Sequence, residues 1–239
     1  MVAVNSLEYN TLLILTIILL AIKLTLIIFL SWKIVDRTKK EGKLSFDFIV
    51  SVLILFLSLF LSRILYSYFD FVLTQFDPDK FYLVPNIYVW KIANFISQFG
   101  ICVVLFYIDR KVLEFRFKGI FSYLLFFAGI AQFFYPINTF TDFQVASAIG
   151  ALALFVVLIL PVLFIYIGIK SEKHRLVMII ITIGTILYMV GANLQSEFIL
   201  APLKIIFGEN IQITFYILSL VFKLTGLSCI SYGSTKFYM

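Results

Sequence analysis

Histidine occurs once in these 239 residues, at His174, and cysteine twice, at Cys102 and Cys229. A haem held by two histidines and a zinc site built from clustered His and Cys are both excluded by that scarcity. A Ser-His hydrolase is ruled against on the same ground, since His174 falls in a predicted loop. Two distant cysteines imply no disulfide framework, and both fall inside predicted helices, where they read as buried, apolar-behaving thiols. The sequence contains no Gly-rich phosphate loop and no paired-Asp motif for prenyl transfer. No cofactor, no metal and no enzymatic activity are therefore expected. Charge is scarce too. Charged residues make up 13% of the chain and hydrophobic residues 62%, against about a quarter and about half in a soluble domain. A water-soluble fold of this length cannot hide that much Leu, Ile and Phe.

What is abundant is apolar sequence in runs near bilayer length, roughly 20 residues each. Seven are predicted, over residues 11–32, 48–69, 86–107, 119–137, 143–169, 177–196 and 211–233. The runs are continuously apolar, with none of the alternation of a barrel strand. The expected fold is an all-α integral membrane protein, a seven-transmembrane-helix bundle forming a single domain over 1–239. The first run reads as a retained span. It is too long for a signal peptide, no basic segment precedes it, and Lys23 interrupts it.

Basic residues set the expected orientation. The segments after the first, third and fifth spans and the tail carry 13 of the 19 Lys and Arg, and the opposite side carries only Lys80 and Lys204. This places the N-terminus outside and the C-terminus in the cytoplasm of a multi-pass protein of the cell membrane. Tyr82, Tyr88, Trp90, Tyr135 and Trp32 fall near span ends, as an aromatic belt requires. The net charge of +6 then reads as topology signal and attraction to the anionic headgroups of the lipid bilayer. Nucleic acid is not an expected partner, because no soluble basic face is predicted.

Asp77-Pro78-Asp79 is turn chemistry in an outer loop, Pro85 suits the first turn of the third helix, and Pro161 predicts a kink inside the fifth span. Two pairs of matches fit a three-plus-one-plus-three organisation. The second and sixth spans share Ile64-Leu65-Tyr66 and Ile186-Leu187-Tyr188. The third and seventh share Gly100-Ile101 and Gly226-Leu227.

Lys23, Arg63, Lys91 and Lys223 lie within the predicted spans, and no carboxylate lies at mid-depth to balance them. An ionisable residue there costs roughly 3 kcal/mol or more on insertion scales, so it faces the bundle interior or water. Helical spacing joins them to other polar groups. Gln212, Tyr216, Ser219, Lys223 and Gly226 share one face of the seventh span. Gly184, Tyr188, Gly191 and Gln195 share one of the sixth, Lys91, Asn94 and Gln98 one of the third, and Arg63, Tyr66 and Asp70 one of the second. The bland alternatives are snorkelling of Arg63 and Lys91 to headgroups, an Arg63–Asp70 pair, and simple packing by Gly and Ser. The expected ligand site is a cavity lined by the second, third, sixth and seventh spans. Its candidate residues are Lys23, Arg63, Tyr66, Lys91, Asn94, Gln98, Tyr188, Tyr216, Ser219 and Lys223, and its ligand is small and anionic or polar.

Lys223 is placed as a retinal-binding lysine would be, but the third span offers no counterion before Asp109. Asp109-Arg110 resembles the acid-Arg pair of G-protein-coupled receptors. The seventh span ends Ser231-Tyr232-Gly233 without that family's Asn-Pro-x-x-Tyr, and the second lacks its mid-span Asp. Ala21-Ile22-Lys23-Leu24, Ser62-Arg63-Ile64-Leu65-Tyr66, Phe69-Asp70-Phe71, Trp90-Lys91-Ile92-Ala93 and Ile108-Asp109-Arg110-Lys111-Val112-Leu113 carry a closer likeness. In these stretches, mainly over the first four spans, the chain resembles a group of uncharacterised archaeal seven-helix integral membrane proteins. The resemblance implies the fold and brings no activity. The expected function is receptor-like or sensory, with a cytoplasmic partner at the basic inner loops. A small-solute transporter is the alternative.

Overall fold

The computed structural model describes residues 6–43, 45–194, 203, 206 and 211–237. They form eight helices: α1 Leu7–Glu41, α2 Phe48–Ser67, α3 Asn86–Tyr107, α4 Ile120–Phe134, α5 Phe140–Val157, α6 Ile159–Lys170, α7 Arg175–Asn193 and α8 Ile211–Lys236. No strand occurs among the described residues. Five segments are long and apolar enough to cross a membrane: Leu7–Glu41, Phe48–Leu73, Asn86–Val112, Glu172–Asn193 and Ile213–Lys236. Ile120–Phe134 and Ile159–Lys170 are apolar but shorter. The end of the expected sixth span, Gln195, the side chain of Gln212 and most of the expected outer loop 197–210, with Glu197, Lys204 and Glu209, lie outside the described residues.

Two expected boundaries move for physical reasons. The segment 33–43, read as a basic loop, is helical as far as Glu41. The i, i+4 pairs Lys40 Nζ–Asp36 Oδ2 (3.0 Å) and Arg37 Nε–Glu41 Oε1 (2.6 Å) continue α1 beyond its apolar run. The expected single span 143–169 is two helices parted at Leu158. Pro161 has no N–H to give to the carbonyl of Val157 four residues earlier, and its ring crowds that carbonyl, so α5 stops there.

Burial over the second half of α2 is inverted relative to a water-soluble helix. Leu57, Leu61, Ile64 and Tyr68 are exposed at i, i+4, i+7 and i+11, while Ser51, Ser58 and Ser62 are buried. Phe48, Ile49, Val52 and Phe56 are buried toward its start, and from Leu57 on an apolar exposed face stands over buried serines, an arrangement that suits lipid as the surrounding solvent.

The chain divides into two compact units, one comprising Ile27–Leu160 and the other joining Ala3–Leu26 to Pro161–Met239. In the first, α2 and α3 run antiparallel and touch at Gly100, where a Cβ would fall 2.6 Å from Ser58 Cβ and 3.2 Å from Leu55 Cα. The Ser122 hydroxyl of α4 donates to the Cys102 carbonyl of α3 at 2.9 Å. In the second unit α7 and α8 meet along glycines. A Cβ on Gly226 would lie 2.6 Å from both Gly184 O and Tyr188 N, and one on Gly191 would lie 2.9 Å from Ser219 O.

Both α2 and α3 end in the same wide turn. The helical path loosens to π geometry over Tyr68–Leu73 and over Ile108–Val112. Thr74 N–H then bonds Phe69 O, and Phe76 N–H bonds Asp70 O. Thirty-nine residues later Leu113 N–H bonds Ile108 O, and Phe115 N–H bonds Asp109 O. The two left-handed residues that follow match as well, Gln75 and Phe76 (φ 52° and 59°) against Glu114 and Phe115 (φ 54° and 60°). Sequence agrees at Tyr68/Tyr107, Asp70/Asp109 and Phe76/Phe115. One reversal thus occurs twice, at opposite ends of an antiparallel pair.

Candidate functional site

The ten expected ligand residues divide equally between the units. Arg63, Tyr66, Lys91, Asn94 and Gln98 belong to the first, and Lys23, Tyr188, Tyr216, Ser219 and Lys223 to the second.

In the first unit Arg63, Tyr66 and Lys91 lie toward the end where α2 turns into α3, and Gln98 lies half-way along α3. Phe69, Ile87, Trp90, Ile137 and Ala146 form a buried cluster there, and Tyr66, Phe81, Tyr82, Tyr135 and Phe143 pack against it. The Trp90 and Phe143 rings are 4.8 Å apart between centroids, and Phe81 and Phe143 5.4 Å. At the edge of this aromatic mass lie Arg63 and Asp70. Tyr66 follows Arg63 by three residues, and Asp70 follows Arg63 by seven, which keeps all three on one face. Arg63 is near enough for its charge to act on both Tyr66 and Asp70. Both Arg63 and Asp70 are half-buried.

Lys91 is buried and donates from Nζ to the Tyr135 carbonyl at 2.7 Å. Tyr135 caps the C-terminus of α4, where carbonyls lack partners within the helix and the dipole favours a cation. Lys91 thereby fastens α3 to α4. Asn94 turns back on its own helix, Nδ2 to Trp90 O at 3.2 Å. Gln98 reaches further. Its Nε2 donates to Gln132 Oε1 at 2.9 Å, and Gln132 Nε2 donates to the Ala146 carbonyl of α5 at 2.9 Å. Gly129 and Gly150 make the room, since a Cβ on either would sit 2.5 Å and 2.6 Å from these two amides respectively. Gln132 escaped the sequence reading. The signal for it was a lone glutamine in the apolar run of α4.

In the second unit, Tyr188, Ser219 and the backbone of Lys223 line the α7–α8 seam. The Ser219 hydroxyl, fully buried, donates to Gly191 O at 2.5 Å. Lys23, Lys223 and Tyr216 are buried as well, and each engages other groups.

The charged ends of the first unit are largely internal couplings. Asp109, 4% exposed, accepts from Phe117 N at 2.9 Å and Gly119 N at 2.5 Å. Its carboxylate therefore clamps the second reversal onto the start of α4, while Arg110, Lys111, Arg116 and Lys118 stay exposed. Arg37 grips Glu41, Ser45 and Asp47, and Asp47 also caps α2 by accepting from Val50 N at 3.2 Å. Among the described residues no group of His, Cys, Asp and Glu is placed to hold a metal ion. No protein family, curated protein or solved structure matches the chain.

Proposed function

We propose that this is a receptor-like or sensory multi-pass protein of the cell membrane, crossing it seven times with its N-terminus outside and its C-terminus in the cytoplasm. It belongs in this reading with the archaeal seven-helix proteins that it resembles. It takes a small polar or anionic ligand from outside and passes the signal to a cytoplasmic partner through Arg110, Lys111, Arg116 and Lys118. The observation that carries the reading is the Arg63–Tyr66–Asp70 face. A guanidinium, a phenol and a carboxylate stand beside an aromatic cluster on a helix apolar enough to cross a membrane, and ionisable groups are kept in such helices for function.

The test is thermal stability of the purified protein across a panel of polar and anionic metabolites, with Arg63→Gln alongside. A ligand that stabilises the parent protein and not the variant supports the reading, and a panel without a single shift opposes it. Labelling single cysteines at positions 80 and 116 in sealed vesicles checks the orientation. The division into two compact units favours the second reading, a small-solute transporter. It predicts solute flux in proteoliposomes, where the receptor predicts ligand-dependent association with a cytoplasmic protein and no flux.

A further inference from the structure

Asp70 and Asp109 hold the same place in two copies of one reversal, and the chain uses them differently. In the second copy the carboxylate is consumed by the N–H groups of Phe117 and Gly119. Thirty-nine residues before Phe117 stands Pro78, which has no N–H. Thirty-nine before Gly119 stands Lys80, whose N–H is already given to Asp77 O at 3.0 Å. Two later bonds recur, Asp77 N–H to Thr74 O as Arg116 N–H to Leu113 O, and Phe81 N–H to Pro78 O as Ile120 N–H to Phe117 O, while Asp79 N–H turns to the Asp77 side chain where Lys118 N–H bonds Phe115 O. Pro78 thus removes one of the two donors that the second copy's carboxylate uses, and the five-residue turn that presents Asp70 matches the one that presents Asp109. The Asp70 carboxylate makes no hydrogen bond to another described residue, and it stays half-buried next to Phe69 of the aromatic cluster.

We infer that Asp70 takes the ammonium group of a zwitterionic, amino-acid-type ligand whose acid group is taken by Arg63; this rests on the ligand-binding reading above and names its ligand class. Charge sets the choice. A simple cation drawn to Asp70 meets the repulsion of Arg63, and a simple anion drawn to Arg63 meets that of Asp70, in surroundings that screen poorly. A dipolar ligand answers both and brings no net charge. Seven residues of helix rise about 10 Å, a gap that the two side chains shorten from either end and that suits a zwitterion with separated charges. Arg63 engages another group, but a guanidinium carries five N–H donors and can serve two partners. The Tyr66 phenol, between the two on the same face, offers a hydroxyl to the middle of the ligand.

The experiment measures thermal stability of the full chain in detergent with glycine, γ-aminobutyrate and ε-aminocaproate, and with butylammonium and butyrate as single-charge halves. The expected result is a rise in Tm with one of the longer zwitterions that neither half produces, lost in both Asp70→Asn and Arg63→Gln. Asp70→Asn breaks no hydrogen bond of the fold, so that variant is expected to be well folded. If it is not, Asp70→Glu replaces it, and its preference must move toward the shorter zwitterion. Stabilisation by butyrate equal to that by the zwitterions, and unchanged in Asp70→Asn, overturns the zwitterion and leaves a simple anion receptor standing. No shift with any of the five probes also overturns it. A shift with another metabolite in the wider panel then still preserves the ligand-binding reading.

Discussion

Asp109→Asn is the substitution that the two reversals make most informative. The carboxylate of Asp109 is almost fully buried and accepts two backbone N–H bonds, at 2.9 Å and 2.5 Å. The amide keeps the shape but turns one oxygen into an NH2 that faces a backbone N–H donor. One charge-assisted bond, worth about 1.5–3 kcal/mol, is lost outright, and the other becomes an ordinary neutral one. A loss of about 2–3 kcal/mol is expected, equivalent to a fall in Tm of roughly 4–12 °C for a chain of this size. Asp70→Asn, at the matching position, breaks no bond and is expected within about 0.5 kcal/mol of the parent. The assay is equilibrium unfolding in one detergent for both variants, with hydrogen exchange at Phe117 and Gly119 as the local readout. Equal effects at the two aspartates would refute the reasoning, because it rests on Pro78 having taken the place of a donor.

The glutamine relay predicts non-additivity. Gln98→Leu and Gln132→Leu each strand the partner amide, so each is expected to cost about 1–2 kcal/mol. The double variant should be more stable than the sum of the two by at least about 0.5 kcal/mol, and an additive cycle would remove the relay. Gly226→Ala places a methyl 2.6 Å from two backbone atoms of α7, which cannot swing aside as a side chain does. Overpacking of about 1–3 kcal/mol is expected, read as lower Tm and faster exchange along α7. At the start of α5, Asn138 N–H, with Thr139 and its N–H, holds the Asp142 carboxyl below the usual carboxylate range, and Asp142 N–H returns a bond to the Thr139 hydroxyl. This reciprocal cap stabilises fully above the unfolded carboxyl pKa, near 3.9, and fades as pH falls through the lower folded value. The Tm difference between the parent and Asp142→Asn should therefore be constant at neutral pH and close below about pH 4. A difference that persists at low pH counts against the cap.

Much of the helical order was legible in advance because a run of apolar residues is a local property. The starts of α2 and α3 fall where the hydropathy predicts them. The end of α1 was missed because its last turns are held by Arg37–Glu41 and Asp36–Lys40 pairs, and hydropathy registers only the apolar part of a helix. The break at Leu158 was half-read: Pro161 announced it, and the lost bond to Val157 placed it one turn earlier. The wide reversal was in principle readable, since Tyr, Asp and Phe recur at a spacing of 39, but its meaning lies in backbone bonds that no pattern displays.

The sequence by itself determined that the chain is helical and that several of its helices are apolar enough to cross a membrane, because both follow from residue type and short-range spacing. It also singled out Arg63, Tyr66 and Lys91 as polar groups in apolar helices. Only the tertiary structure decided what each was doing. Lys91 is spent on the last turn of α4, Gln98 on a glutamine 34 residues away, Ser219 on a neighbouring glycine, and Asp109 on its own loop, while Asp70 lies within reach of the Arg63 charge. The physical reason is that a buried polar group must find a partner, and which partner it finds depends on contacts between elements far apart in the chain.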